Sequence, residues 1–168
     1  KEGVFHVSVR PALVPQMSLL GSLEGAYNGT EIEDEYGVVS GLVAPGAGTY
    51  PTADAVIKDL FDIVEGRPMP MPDSAQTIVL DDSKNEERRY YLRFSVVDQA
   101  GVLAQICNIF WKYDISIAAV IQKEAISQEF APVVITTHLA QEGNLQAAIE
   151  QVDKLDTIKA KTKIMRIL

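Results

Sequence analysis

Two turns in this sequence combine residue types that can bind an anion or a zwitterion. In "APGAGTYPTADAVIKDL", residues 44–60, a glycine-rich turn directly precedes an amphipathic helix. In "DQAGVL", residues 98–103, Asp98 and Gly101 come just before a second such helix. Because the start of a helix has free backbone N–H groups and the positive end of the helix dipole, both turns suit a phosphate or a carboxylate. The glycine-rich turn suits equally well a tight connection between a strand and a helix that binds no ligand.

The second turn has the groups that a free amino acid requires. Asp98 can hold a cationic amino group, Gly101 lets the backbone come close to a ligand, and the N–H groups of the helix can take a carboxylate. The same residues also suit an ordinary turn in which Asp98 caps the helix and no ligand binds. On these residues alone both interpretations stay open.

Other residues with reactive side chains have ordinary structural explanations. His6 alternates with valines and is predicted to lie on a strand surface, whereas His138 ends a strand and is a candidate for an effector site or an interface. Cys107 is the one cysteine, which excludes an internal disulfide bond and a multi-cysteine zinc site and favours a packed thiol. The acidic run at residues 31–35 lacks the register of a calcium-binding loop. The sequence therefore predicts no metal site.

The charge of the chain disfavours nucleic acid and membrane partners. The 168 residues are 47% apolar, as in a globular protein, and the formal net charge is −8. Residues 1–66 hold ten acidic and three basic side chains, whereas residues 90–168 hold eight of each. An acidic surface repels phosphate backbones and anionic lipids, and no apolar run reaches the roughly 20 residues that span a bilayer. The single cysteine fits a reducing cytoplasm, where we expect the protein to be located.

The first part of the chain is predicted to begin with strands. Residues 4–14, "VFHVSVRPALV", alternate apolar and polar residues as a strand does, and Pro11 ends the alternation. The predicted apolar face holds Phe5, Val7 and Val9. Residues 21–46 then predict a β-meander, with Asn28-Gly29 and Tyr36-Gly37 as its turns.

A helix is predicted after the glycine-rich turn. Apolar residues recur at helical spacing after Pro51 or Thr52, at one of which the helix is expected to start, and Gly66 lies just past its end. The composition then changes at residues 67–89, where three prolines alternate within residues 68–72 and a charged run follows. Because proline removes backbone donors and fixes φ, this stretch predicts an extended connector between two units.

Residues 90–168 predict the order βαββαβ. The strands are expected in "YYLRFSVVD", "ISIAAVIQK", "APVVITTHLA" and "TIKAKTKIMRIL", and the helices in "AGVLAQICNIFWKY" and "GNLQAAIEQVDKL". Such an order makes a four-stranded antiparallel sheet with both helices on one face, the ferredoxin-like arrangement. The predicted class is therefore α+β, and the uncovered sheet face predicts a partner subunit, so that we expect at least a dimer.

This pattern is similar to the ACT domain, a small module that binds amino-acid effectors. More narrowly, "YYLRFSVVDQAGVLAQI", "ISIAAVIQKE" and "VVITTHLAQE" resemble the ACT domain at the C-terminal end of homoserine dehydrogenases, with Ala100 where that family usually has proline. The segment "APGAGTYPTADAVIKDL" is similar to the family's "GxGAGxxPTAxAVxxD", with Ala44 in place of its first glycine. "KEGVFHVSVRPALVP" resembles the strand that follows the family's catalytic helix.

The resemblance implies a division into three segments. Residues 1–66 correspond to the C-terminal segment of the substrate and dimerisation domain, a partial mixed α/β segment; residues 67–89 are a linker; and residues 90–168 are the regulatory ACT domain. The segments together would form the assembly and amino-acid-sensing part of an NAD(P)-dependent oxidoreductase that interconverts aspartate semialdehyde and homoserine. That reaction belongs to threonine and methionine biosynthesis, and threonine is the effector that the family suggests.

The resemblance also assigns candidate residues. The cofactor-binding candidates are Gly46, Ala47, Gly48 and Thr52, and the effector-binding candidates are Asp98, Gln99, Ala100, Gly101, Val102 and Leu103. The family's substrate-binding acids and catalytic lysine match nothing here and would lie upstream of Lys1, so this chain alone is expected to have no catalytic residue, no bound NAD or NADP and no activity. Two alternatives stay open: a free-standing ACT-type amino-acid-binding regulator, or a structural dimerisation module.

Overall fold

The structure, a computed structural model, describes residues 4–67, 79–80, 83–122 and 131–168. Residues 68–78 and 81–82 of the connector predicted at residues 67–89 lie outside the described residues, as does the polar segment at residues 123–130. In chain order the described elements are β1 (Val4–Phe5), β2 (Ala12–Leu13), β3 (Tyr27–Glu33), β4 (Val39–Pro45), α1 (Thr49–Val64), β5 (Val79–Leu80), β6 (Glu87–Val96), α2 (Val102–Lys112), β7 (Ile117–Gln122), β8 (Ala131–Thr137), β9 (Ala140–Gln141), α3 (Glu142–Val152) and β10 (Ile158–Ile167).

The described residues form two compact units. Those up to Leu13 group with those from Val79 onward, and residues from Val14 to Arg67 form the second unit. This grouping differs from the segments expected from the sequence, since residues 4–13 pack with the ACT-like part of the chain. The reason is strand pairing: β1 pairs in parallel with β5, and β2 pairs in parallel with β10.

The main sheet of the first unit has the predicted ferredoxin-like topology. Its strands lie in the order β10, β6, β8, β7, with antiparallel pairing throughout these four. Strand β2 extends the sheet beyond β10, and β9 pairs with the beginning of β6. The predicted α+β class and the βαββαβ order are confirmed.

The core lies between one face of this sheet and the helices α2 and α3. The alternation predicted for β6 is observed, because Leu92, Phe94 and Val96 are buried. Between them, Arg93 is exposed and Ser95 is half-buried. The rings of Phe94 and Phe110 pack at a centroid distance of 6.2 Å and an angle of 57°. The other core residues from the two helices are Val102, Ile106, Ile109, Leu145, Ala148, Ile149 and Val152.

The N-terminal segment is more irregular than its alternation predicts. Strand β1 comprises only two residues, and Val7 and Val9 are exposed instead of lining a strand face. Pro11 does not end pairing, since β2 follows it directly. The segment lies along the edge of the sheet, so its alternating pattern has no core to face.

The second unit is a hairpin followed by a helix. Strands β3 and β4 pair in antiparallel register from Tyr27 and Pro45 to Glu33 and Val39, and the turn between them contains Gly37, whose φ is +78°. The predicted turn at Asn28-Gly29 is wrong: both residues lie inside β3. A Cβ on Gly29 would come within 2.6 Å of the Leu23 side chain, so glycine at this position leaves room for that side chain.

Helix α1 begins at Thr49, one turn earlier than Thr52, with Pro51 in its first turn, and Gly66 follows its end with φ +65°. No described residue between Val14 and Arg67 is buried. The exposed large apolar residues of α1 are Tyr50, Val56, Ile57, Leu60, Phe61, Ile63 and Val64. No helix among the described residues is long and apolar enough to cross a membrane.

Candidate functional site

The turn between β6 and α2 has the geometry of an open helix N-terminus. Gly101 precedes the helix with φ +90° and ψ −10°, a left-handed conformation that favours glycine. The Val102 N–H makes a long contact of 3.5 Å with the Gln99 carbonyl, and the first i→i−4 bond runs from the Gln105 N–H to the Gly101 carbonyl at 3.1 Å. The amides of Leu103 and Ala104 therefore have no partner within the helix and are available to an acceptor.

A cavity of about 240 Å³ lies against this turn. Its volume is several times the roughly 30 Å³ that one water takes up in the liquid, so it has room for a small amino acid. The lining contains all six predicted effector residues, Asp98, Gln99, Ala100, Gly101, Val102 and Leu103, together with Val96, Val97, Gln122 and Val133. The structure thus brings the predicted residues together and adds Gln122 and Val133 from the neighbouring strands.

Asp98 does not cap the helix, which corrects one of the two roles considered for it. The capping position belongs to Gly101, and no side chain caps the amides there. Asp98 is exposed at the cavity and forms no hydrogen bond or ion pair with any described residue. Its carboxylate is therefore free to accept a cationic group.

The glycine-rich loop before α1 is explained largely by its own packing. A Cβ on Gly46 would lie 1.9 Å from Nδ2 of Asn28, and the Gly46 N–H donates to the Ala26 carbonyl at 2.8 Å. Gly48 precedes α1 with φ +121°, and the Thr52 hydroxyl donates to the Gly48 carbonyl at 2.8 Å. A depression nearby is lined by Ala44, Pro45, Tyr50, Pro51, Asp54 and Lys58. The predicted cofactor residues Gly46, Ala47, Gly48 and Thr52 do not line it, and their cofactor role remains a prediction.

A buried ionic cluster that the sequence did not predict lies in the first unit, centred on Glu142. Glu142 is the first residue of α3 and is 2% exposed. Its Oε1 accepts from Arg10 and, at 2.9 Å, from Gln146; its Oε2 accepts from Arg166 and, at 3.2 Å, from the Tyr90 hydroxyl. Four donors therefore hold one buried carboxylate.

The Arg166 guanidinium links this carboxylate to two further parts of the chain. It donates to the Ser8 hydroxyl at 3.1 Å and forms an ion pair with Glu86 at 3.0 Å, and Glu86 in turn pairs with Arg88. The Nε of Arg166 is buried with no hydrogen-bond partner among the described residues. The cluster, defined here as Arg10, Glu86, Arg88, Tyr90, Glu142 and Arg166, thus carries three positive and two negative charges.

The cluster shifts the pKa values of its members. Burial alone would raise the pKa of Glu142, but the hydrogen bonds from Arg166 and Arg10 outweigh it and hold that pKa below its usual value. Burial, together with the Glu142 charge, raises the pKa of Tyr90 to about 12. Burial opposes the charge of Arg166, yet its bond to Glu142 raises the Arg166 pKa. Glu142 and Arg166 are therefore charged at neutral pH, and Tyr90 is neutral.

The remaining candidate residues are not among those that line the cavity at the β6–α2 turn. His138 is exposed directly after β8, where its N–H donates to the Ser116 carbonyl at 2.9 Å, and it does not line the cavity at the β6–α2 turn. Cys107 is half-buried on α2, and His6 is exposed. Among the described residues, no three His, Cys, Asp or Glu side chains are grouped closely enough to hold a metal ion.

Two family models match the two parts of the chain. The homoserine dehydrogenase family matches residues 2–61, and the ACT domain family matches residues 90–157. The second match contains most of β6 and all of α2, β7, β8 and α3, together with the turn between β6 and α2. The ACT assignment therefore agrees with the observed topology.

Single relatives match both parts of the chain together. The homoserine dehydrogenase of Neisseria gonorrhoeae is 32% identical over 174 residues, which cover 96% of this chain and 40% of that protein. That of Mycobacterium tuberculosis is 31% identical over 176 residues, with 99% and 40% covered. A crystal structure of the homoserine dehydrogenase from Thiobacillus denitrificans matches the whole chain with a TM-score of 0.81 at 29% identity, over 40% of its own length. This chain thus spans about 40% of the length of the relatives that it matches, and it corresponds to the C-terminal region of homoserine dehydrogenases, including their ACT domain.

Proposed function

We propose that this chain is the assembly and amino-acid-sensing part of a homoserine dehydrogenase. Residues 1–66 are the C-terminal segment of its substrate and dimerisation domain, residues 67–89 are the linker and residues 90–168 are the regulatory ACT domain. The whole protein is proposed to be a cytoplasmic enzyme that transfers a hydride between NAD(P)H and aspartate semialdehyde. That activity rests on the relatives, since this chain supplies no catalytic residue that we can assign.

One observation carries the sensing role: the cavity at the β6–α2 turn joins an unpaired carboxylate to unpaired helix amides. An amino acid has the complementary groups, because its carboxylate fits the amides of Leu103 and Ala104 and its ammonium fits Asp98. The cavity lining offers Gln122 to a polar side-chain group and Val133 to a methyl group. Threonine, which has a hydroxyl and a methyl on its Cβ, satisfies both and is the proposed effector.

Titration calorimetry tests this role. Threonine, serine, isoleucine and methionine are titrated into the wild type and Asp98→Asn, and we expect threonine to bind and the substitution to weaken it by about ten- to a hundredfold, the loss of one charged hydrogen bond. The matched control is Asp114→Asn, because Asp114 has φ +56° at the opposite end of α2 and asparagine tolerates that conformation. Equal affinity in wild type and Asp98→Asn would place the site elsewhere.

The two alternatives differ from this proposal in their outcomes. A structural dimerisation module would bind none of the four amino acids at millimolar concentration. A free-standing regulator would bind an amino acid, but its gene would encode no dinucleotide-binding domain ahead of this region. The complete reading frame therefore separates that alternative from the proposed enzyme.

We also propose that the protein assembles as at least a dimer. The support is apolar exposure: Leu42 is 71% and Phe61 61% exposed in the second unit, and Ile121 is 53% exposed on β7, an edge strand of the described sheet. A monomer does not usually expose so many large apolar side chains next to one another. Light scattering at micromolar concentration should give at least twice the mass of the chain, and a monomeric mass would contradict the proposal.

A further inference from the structure

The segment from Val4 to Leu13 is attached to the ACT unit by few apolar contacts. Its two strands, β1 and β2, contribute two residue pairs each, and Val7 and Val9 face solvent. A cavity of about 150 Å³ lies where Arg10 and Pro11 approach α3 and β10. Packing therefore leaves a gap at the point where the segment crosses the sheet edge.

Polar contacts instead hold most of the segment from Val4 to Leu13 against the rest of the unit. Arg10 donates to Glu142, Ser8 accepts from Arg166 at 3.1 Å, and the Leu168 N–H donates to the Leu13 carbonyl at 3.0 Å. Burying such charges is costly, and a well-packed apolar cluster of the same volume usually stabilises a fold as well or better. The unpaired Nε of Arg166 adds to that cost. The cluster is thus better suited to fixing one specific attachment than to raising overall stability.

The attachment lies at the far end of the strand pair that carries the effector turn. Strands β6 and β10 run from the pair Val96 and Ile158, next to that turn, to the pair Tyr90 and Arg166, inside the cluster. Along β6 the six steps from Val96 to Tyr90 span about 20 Å at roughly 3.3 Å per residue. Between the two ends β10 has two register irregularities, between Ile158 and Lys163, where a strand can shift locally.

We propose that the buried pair of Glu142 and Arg166 binds the side chain of Arg10, a contact that we call the latch. We propose further that the latch couples the effector turn of the ACT domain to the segment that leads into residues 14–67. This coupling rests on the proposed amino-acid-sensing function, whereas the latch itself does not. Arg10 is the removable part, since its side chain is 42% exposed while Glu142 keeps its bond to Arg166 without it. The latch thus can open without unfolding the core.

Hydrogen exchange of the full 168-residue chain tests the latch without ligand. In Arg10→Met, peptides covering residues 8–13 should exchange at least tenfold faster than in the wild type, while peptides from α2 stay unchanged. Glu142→Gln should act in the same direction, and Arg10→Lys should restore part of the protection. Arg67→Met is the control, because Arg67 is an arginine that pairs with Asp62 and Glu65, outside the cluster. Wild-type protection of residues 8–13 in Arg10→Met would overturn the latch.

A second arm adds saturating threonine. In the wild type, threonine should change the exchange of residues 8–13 by at least threefold; in Arg10→Met this response should vanish although threonine still binds by calorimetry. By linkage, the threonine Kd should differ between the two proteins by the same factor. Binding without a response at residues 8–13 would overturn the coupling alone. If the wild type binds no threonine, the proposed sensing function fails together with the coupling, while the first arm still decides the latch.

Discussion

Replacing Gly101 by alanine separates backbone strain from ligand contact at the proposed effector site. At Gly101 the backbone has φ +90°, and a Cβ built there meets nothing within 4 Å. The cost of Gly101→Ala to the fold is therefore conformational and not steric, about 1–2 kcal/mol. For a unit of this size, 1 kcal/mol lowers Tm by roughly 4–8 °C, so thermal unfolding should show a loss of about 5–15 °C.

The same substitution should weaken threonine binding by at least tenfold, because Gly101 lines the cavity and the new methyl group would occupy space that the ligand needs. Gly101→Asn distinguishes the two effects, since asparagine tolerates the left-handed conformation and should recover stability but not binding. Gly66→Ala is the control: its φ is +65°, a Cβ there also meets nothing within 4 Å, and it lies in the other unit. Its threonine affinity should equal that of the wild type.

Two results would refute this reasoning. A stability loss below about 0.5 kcal/mol for Gly101→Ala would mean that the turn does not hold the left-handed conformation in solution. An unchanged threonine Kd in Gly101→Ala would mean that the cavity at the turn is not where the amino acid binds. Calorimetry and thermal unfolding on the same samples give both values.

Three further predictions concern the first unit. Because Glu142 has a lowered pKa, its contribution to the free energy of unfolding is complete above about pH 4.5 and is lost as the pH falls through its folded-state pKa. The free energy of unfolding, measured with urea, should therefore differ between wild type and Glu142→Gln by a constant amount from pH 7 to 5, and the difference should shrink below pH 5. Tyr90 has its pKa raised from 10.0 to about 12, so wild-type stability should fall between these pH values by about 2–3 kcal/mol, and Tyr90→Phe should remove this loss in alkaline urea titrations. Phe110→Ala should lower the free energy of unfolding by about 3–5 kcal/mol, because the side chain is fully buried against Phe94; a loss below 1 kcal/mol in urea unfolding would contradict the packing.

The ACT unit could be predicted from the sequence because its periodicities are consistent. Leu92, Phe94 and Val96 alternate, the apolar residues of α2 recur at helical spacing, and both patterns face one shared core. The predicted turn at residues 98–103 followed from the same pattern, as it joins the two elements. Gln122 and Val133 were missed at the cavity because only the pairing of β7 and β8 brings them there.

The second unit was harder to predict because its patterns have no core to face within the described residues. Asn28-Gly29 is the usual sequence of a tight hairpin turn, yet it lies within β3, where Gly29 makes room for Leu20 and Leu23. The true turn, around Gly37, was one of the two candidates. The local sequence therefore predicted correctly that a glycine lies in the hairpin turn, but it could not decide whether that glycine is Gly29 or Gly37.

The ionic cluster lay beyond sequence reasoning for a different reason, although one feature pointed to it. Glu142 precedes Leu145 and Ile149 by three and seven residues, so it occupies the buried face of α3. A carboxylate on such a face requires a cationic partner, because an unpaired buried charge is too costly. The partners lie 24 and 132 positions away, at Arg166 and Arg10, and nothing local distinguishes them from the other basic residues. A charged residue within the apolar stripe of a helix thus predicts that a buried ion pair exists. Only the fold determines which segment supplies the partner, and here one partner, Arg10, comes from the segment that leads into residues 14–67.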